Sequence, residues 1–286
     1  MGKKRMDTRA VGLDVGLGLM RWLTGSENLH YGDWTGLPVT AGNLGAAQAA
    51  YTDRLFRHLP PAPARILDIG GGAGETARKL IALGHRVEIV IPSAYLAARC
   101  RANAPEAIVH ECRFEDFVAD GLFDVCLFSE SYQYIPLAIG LGRALALVAP
   151  GGRVVVADCF RRPGWYRGDV ATVGGGHGVE SFRKLLDSLP VRLVAEEDIT
   201  EAVAPSVDIE QGLFNVIGLA VTRTDQEMAL RRPLLRRIVH LVLRLAMGRR
   251  RWDRLDARLN RQDRNAAAFA QNNIYLMLWI EPADAS

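Results

Sequence analysis

Between residues 65 and 158 the chain alternates short apolar runs with stretches in which apolar residues recur every three or four positions. The runs 65–69, 86–91, 107–111, 123–128 and 153–158 predict strands, and 75–83, 94–102 and 137–147 predict helices between them. This alternation is the pattern of βα units feeding a mainly parallel sheet. The turn Ala149-Pro150-Gly151-Gly152 sets off the fifth strand, because Pro and Gly together cannot carry a helix further. Beyond it the pattern predicts a helix over 180–189, stopped by Pro190, then strands over 192–196 and 274–280.

About 75 residues separate those last two strands, and a structureless loop of that length does not suit a compact domain. Their helical periodicity predicts an insertion, 201–272, packed over the ligand edge of the sheet. Residues 1–60 read as an N-terminal helical extension or lid, 61–200 as the core and 273–286 as a final strand and tail.

Composition adds exclusions. A hydrophobic share of 49% and a charged share of 23% belong to a globular chain and exclude extensive disorder. The net charge of +3 is too small to argue for nucleic acid, although the 35 basic residues include only four lysines: Lys3, Lys4, Lys79 and Lys184. Cys100, Cys112, Cys126 and Cys159 form no CxxC pair and no metal-type spacing, so reduced thiols and no metal are expected. No stretch reaches the roughly 18 apolar residues that would span a bilayer, and no cleavable leader pattern is visible. The expected location is cytoplasmic.

The most informative local feature is Ile66-Leu67-Asp68-Ile69-Gly70-Gly71-Gly72-Ala73-Gly74-Glu75, a buried strand running into glycines and then a helix. Glycines at 70, 72 and 74 let the backbone turn sharply and approach a ligand with no Cβ in the way. The helix that follows offers free N–H groups to the same ligand. The spacing differs from the dinucleotide fingerprint GxGxxG, since Gly74 comes one residue early.

Together with the strand Phe123-Asp124-Val125-Cys126-Leu127-Phe128 and the segment Leu147-Val148-Ala149-Pro150-Gly151-Gly152-Arg153, this turn resembles, in order and spacing, the motifs of class I S-adenosylmethionine-dependent methyltransferases. The resemblance covers about residues 60–200. It implies an α/β, Rossmann-like three-layer sandwich, with seven strands, the last antiparallel, and the cofactor across the carboxyl ends of the first strands. It further implies that Asp68 and Gly70, Gly71, Gly72 and Gly74 lie beside the methionine part of S-adenosylmethionine. Upstream, Asn28-Leu29-His30-Tyr31-Gly32-Asp33-Trp34 is similar to the aromatic segment of the subgroup containing sterol, tocopherol and cyclopropane-fatty-acid methyltransferases, where that segment closes over cofactor and substrate. A surface aromatic turn is the plainer reading.

The pattern also departs from that family. The acid that holds the ribose hydroxyls is expected 23 positions after Asp68, where this chain has Ile91. Glu88 is near but falls on the opposite strand face, and Ser93 offers one replacement hydrogen bond. At the adenine segment Cys112 stands where Asp is usual, followed by Arg113 and by Phe114 as a face or edge for the base.

Methyl transfer to an alcohol or acidic carbon needs position and a base. Ser129-Glu130-Ser131-Tyr132-Gln133-Tyr134 follows the fourth strand, so Glu130 is a candidate base or cation-stabilising carboxylate, against a helix-capping role. Tyr132 and Gln133 are candidates to shape the acceptor site, and Ser129 lies on the cofactor side. In Gly174-Gly175-Gly176-His177-Gly178, His177 is a candidate base because imidazole titrates near neutrality, against a flexible lid pointing it at water. His30 ranks after these.

From Arg231 to Arg264 there are twelve Arg and three acids, with Leu234, Leu235, Ile238, Leu241, Val242 and Leu245 at helical spacing. Residues 231–251 are thus a candidate peripheral membrane contact; a cap helix with solvated arginines is the plainer reading, and RNA is disfavoured. The expected function is methyl transfer to a small apolar acceptor of lipid, isoprenoid or polyketide type. Ile91 and Cys112 keep open a non-methylating cyclase or decarboxylase, and a non-catalytic partner protein is the third reading. Oligomeric state is not legible.

Overall fold

The computed structural model describes residues 8–165 and 173–283, so the first seven residues of the expected extension and the last three of the expected tail lie outside it. Seven strands form one sheet in the order β3-β2-β1-β4-β5-β7-β6. They are β1 (Arg65–Ile69), β2 (Arg86–Val90), β3 (Ile108–His110), β4 (Phe123–Ser129), β5 (Val148–Arg161), β6 (Val191–Asp198) and β7 (Asn273–Pro282). β1 to β5 run parallel, and β7 inserts antiparallel between β5 and β6. The seven-stranded, mainly parallel sheet with an antiparallel last strand is therefore as expected.

β5 is longer than expected. Its pairing with β4 begins at Phe123–Val148, shifts register, and resumes at Val125–Arg153, so the Ala149–Gly152 turn is a bulge inside the strand rather than its boundary.

Eleven helices are described: α1 (Thr8–Thr24), α2 (Leu44–Phe56), α3 (Glu75–Ala82), α4 (Ala94–Asn103), α5 (Leu137–Leu147), α6 (Val179–Asp187), α7 (Thr200–Val203), α8 (Pro205–Arg231), α9 (Pro233–Met247), α10 (Arg249–Asn260) and α11 (Ala266–Asn272). The sheet is buried on both sides because alternate strand residues feed two separate cores. Ile66, Val125, Val155, Ala157, Tyr275 and Met277 face α2, α3, α4, α7 and α11, whereas Leu67, Ile69, Cys126, Val156, Leu276 and Leu278 face α5 and α6.

Tyr51 and Leu55 of α2 are fully buried in the first core, so this helix from the expected extension is part of the sheet's cover. Residues 201–272 are helical, as their periodicity predicts, with α8, α9 and α10 packed on one another and α7 and α11 on β7.

Candidate active site

The carboxyl ends of β1 and β4 meet through their turns. After β1, Gly70 takes φ 77°, and a Cβ there would sit 2.4 Å from Cβ of Ser131, which follows β4. The Ser131 hydroxyl in turn donates to the Ile69 carbonyl. Gly72, at φ 55°, has nothing within 4 Å of where its Cβ would be, so this bend faces open space. The turn's backbone is thus presented bare, as its composition predicts.

Behind it stands Asp68, 1% exposed, with neither carboxylate oxygen hydrogen-bonded to protein. Burial alone pushes its carboxyl up to about 7. An unpartnered buried acid beside a bare turn is a polar group left for a ligand to satisfy. The methionine end of S-adenosylmethionine, with its ammonium and carboxylate, matches this pair.

The turns after β2 and β3 are different. Ile91 is buried, on the Asp68 side of the sheet. Glu88 faces the other way and is held by Arg65 at 2.6 Å and His110 at 2.8 Å. Ser93 caps α4, its hydroxyl accepting from the Leu96 N–H at 3.3 Å, so its acceptor lone pairs are partly used. Phe114 lies 3% exposed with its ring edge-on to Phe128 in the second core, not open to a ligand. Arg113 forks onto Asp116 at the surface. Cys112 is half-buried, and burial, followed by Asp116, raises its thiol above the ordinary range. No side chain here offers the paired acceptors that a ribose diol requires.

Glu130 follows β4 with φ 55°, the one non-glycine residue described in the left-handed region. Such a conformation is costly and persists only where surroundings enforce it. Its Oε1 accepts from the Tyr31 N–H at 2.7 Å and from the Tyr275 hydroxyl at 3.0 Å. Tyr275 Oη also meets Tyr51 Oη at 2.7 Å, and Tyr51 lies 3.4 Å from Ser129 Oγ. Burial pushes the Glu130 carboxyl up to about 8, Asp158 adding to the rise and the two donors opposing it. A carboxyl balanced there can take or give a proton near neutrality.

The segment between α1 and α2 forms a strap over this point. At one end the Glu27 N–H donates to Glu75 Oε1, and its carboxylate is forked by Arg99 at 2.9 and 2.7 Å. Burial works to raise that carboxyl, but Arg99 and Asn103 outweigh it and hold it low. At the other end the Gly32 N–H and Trp34 Nε1 both donate to Ser206 Oγ of α8. Gly32 is required because a Cβ would lie 2.5 Å from Cβ of Ala47.

His30 turns inward from the strap. It stacks on Tyr51, its Nδ1 donates to the Tyr31 carbonyl at 2.7 Å, and burial lowers it to about 4, so it is a neutral structural ring. Tyr31 packs edge-on against Phe269 of α11.

Two candidates do not join this cluster. His177 Nε2 donates to the carbonyls of Ile135 at 2.9 Å and Tyr132 at 3.2 Å, so that nitrogen carries its proton and is not a free base. Its loop is not a loose lid either: a Cβ on Gly176 would fall 1.7 Å from the Cys159 carbonyl oxygen, so glycine is needed for close packing. Tyr132 is fully buried, donates to the Leu137 carbonyl at 2.6 Å, and belongs to the second core. Gln133 is used instead: its amide N–H and side chain both donate to Asp158, at 3.0 and 3.1 Å.

The residues that composition did not single out are Tyr51, Tyr275, Asp158 and Ser206. Their signal was present as hydroxyls and an acid inside apolar periods, as in Val154-Val155-Val156-Ala157-Asp158. Burial raises Asp158 to about 7, with Gln133 and the Cys159 N–H opposing. The four cysteines are free thiols, and among the described residues no cluster of His, Cys and carboxylates could hold a metal ion.

A parallel sheet with a bare first turn, an unpartnered acid behind it and a strapped carboxylate beside it defines a Rossmann-like domain of the methyltransferase type. The chain belongs to the methyltransferase domain family, whose sequence profile matches residues 44–194. It is 28% identical over 112 residues to an uncharacterized methyltransferase of Mycobacterium tuberculosis (strain ATCC 25618 / H37Rv), a match covering 38% of this chain and 46% of that relative. The match thus spans just under half of the relative's length.

Among solved structures, the cyclopropane synthase MmaA2 from Mycobacterium tuberculosis is similar over 98% of this chain and 99% of its own, with a TM-score of 0.67 and 16% identity. The [4+2]-cyclase SpnF follows the same course over 96% and 95%, at 0.64 and 16%. Geranyl diphosphate C-methyltransferase from Streptomyces coelicolor A3(2), crystallised with S-adenosyl-L-homocysteine, does so over 92% and 91%, at 0.63 and 15%. At these identities the likeness is one of fold.

Proposed function

We propose that the protein transfers a methyl group from S-adenosylmethionine to a small apolar acceptor, with Glu130 as the carboxylate that takes the acceptor's proton or faces its developing positive charge. When bound, the cofactor supplies an electrophilic methyl carbon. Asp68 and the Gly70–Gly74 turn hold its methionine end, and the strap from Glu27 to Trp34 keeps water from the reacting centre. Tyr31 is the partly exposed aromatic ring beside Glu130, backed from the core by Tyr275 and Phe269, which suits a lipid-like or polyketide-like molecule.

The observation that carries this reading is the Glu130 carboxylate, held in a strained backbone by two donors on one oxygen. Strained backbone of this kind clusters at functional sites, where the surroundings enforce it. Glu130 is half-buried as a residue, while its carboxyl is buried deeply enough to be raised to about 8.

Calorimetry with S-adenosylmethionine, followed by incubation with a panel of isoprenoid and polyketide alcohols, tests the proposal. Binding in the tens of micromolar or better and a product heavier by one methylene support it, and no detectable binding overturns it. A second reading is favoured by Ile91 and Cys112: the fold retained, with cyclisation or decarboxylation in place of methyl transfer. Its mark is substrate consumed with no gain of a methylene.

A further inference from the structure

α9 is built inside out for a helix on a globular surface. Leu234, Leu235, Ile238, Leu241, Val242 and Leu245 occupy one face and are between 50% and 78% exposed. The opposite face is fixed against α8: Arg236 forks onto Asp225 at 2.8 Å through both nitrogens, and His240 Nε2 meets the same carboxylate at 2.7 Å. An ordinary amphipathic helix buries its leucines and shows its charges to water. Here the Asp225 pairs lock the helix with its leucines outward.

The charge carried by that segment itself has one sign. From Arg231 to Arg251 the sequence holds eight Arg and no acid. Arg231 and Arg236 pair with Glu227 and Asp225 of α8. Arg237 and Arg244, seven residues apart on one flank of the stripe, are exposed. With 15 residues α9 is too short to cross a bilayer, and among the described residues no helix is long and apolar enough to do so.

We infer that the outward face of α9 docks in the plane of an anionic lipid surface, its leucines entering the acyl boundary and its guanidinium groups meeting headgroup phosphates. Apolar area and positive charge on one face are the two quantities on which interfacial helix binding depends, and a guanidinium fork matches phosphate oxygens. A second copy is a poorer occupant. A two-fold contact would bring the same arginine-rich flank against itself, so like charges would meet at the interface.

The surface is also tied to the strap over Glu130. α8, on which α9 rests, supplies Ser206 to Gly32 and Trp34, and α11 after α10 supplies Phe269 to Tyr31. An apolar molecule leaving the lipid would meet the same helical segment that covers the site. Lipid docking by α9 is independent of which reaction the site runs.

The full chain is sedimented with vesicles of phosphatidylcholine alone and of phosphatidylcholine with a quarter phosphatidylglycerol, at low and high salt. The expected result is binding at least about tenfold stronger to the anionic vesicles, weakened by salt. Ile238→Ser combined with Leu241→Ser, at exposed positions, is expected to reduce that binding by about tenfold or more with an unchanged melting temperature. Arg237→Glu combined with Arg244→Glu is expected to abolish the anionic preference, which keeps the test valid if the serine variant misfolds.

Equal partitioning to both vesicle types, or binding that the serine variant leaves intact, overturns the inference. A concentration-dependent dimer in light scattering that the serine variant dissolves also overturns it, assigning the face to a second copy.

Discussion

The turn after β1 and the turns after β2 and β3 are built to different standards. At the β1 end the backbone is bare, Gly72 faces open space and Asp68 waits without a partner. At the β2 and β3 ends the corresponding positions are closed: Ile91 is buried, Ser93 caps its own helix and Phe114 belongs to the core. A fold can thus keep the bare backbone turn of a family while other turns of the same sheet edge carry different side chains. The first is written into backbone shape, whereas the second consists of single side chains that substitution removes without harm to the fold.

The largest break in that contrast is expected from Gly70→Val. The new side chain collides with Ser131 and adopts φ 77° only under strain, so cofactor binding should vanish and stability should fall by about 3 kcal/mol. Calorimetry and a thermal melt read both effects.

Glu130→Gln should come next, lowering kcat by about 100- to 1,000-fold while leaving cofactor affinity nearly unchanged. The wild-type rate should rise with pH and level off above about 8, the value to which burial lifts this carboxyl, and the Gln variant should lose that rise.

Asp68→Asn tests the waiting acid through stability. The folded carboxyl at about 7 lies above its ordinary value, so between about 4 and 7 the native state binds more protons than the unfolded one. Stability of the ligand-free protein therefore falls as pH climbs through that window. The Asn variant should remove part of the slope and gain on the order of 2 kcal/mol at pH 8, read from melts across pH, while binding cofactor more weakly.

The smallest effect sharpens the contrast from the other side. Ile91→Glu supplies the missing acceptor pair and should tighten S-adenosylmethionine binding by about 1 to 2 kcal/mol, measured by calorimetry. No gain there, in a variant that keeps the parent's melting temperature, would mean that the adenosine does not lie over the end of β2.

Much of the fold was legible because period-2 and period-3.6 patterns set the strands and helices of the core directly. Asp68, the glycine turn and Glu130 could be singled out in the sequence because each stands at the end of a strand of a parallel sheet, and the structure brings those two turns together. His177 and Tyr132 stand apart from the Glu130 cluster for one reason. Chemical type marks a residue as able to act, but a carbonyl partner found only in three dimensions decides whether its atoms are free.

Tyr51, Tyr275 and Ser206 escaped for the converse reason. They lie in ordinary apolar or helical stretches, and only the packing of α2, β7 and α8 around Glu130 gives their hydroxyls a task.

The placement of β7 has a bearing on how the molecule comes into being. Tyr275 reaches Glu130 from 145 residues further along the chain, and the edge of β5 that β7 covers has to wait through the whole run from α6 to α11. During synthesis the nascent sheet therefore carries an unzipped, strongly apolar border, Val154-Val155-Val156-Ala157, open to any passing strand. The closing strand ends that exposure and completes the acid's cradle in one event, so that maturation and competence arrive together.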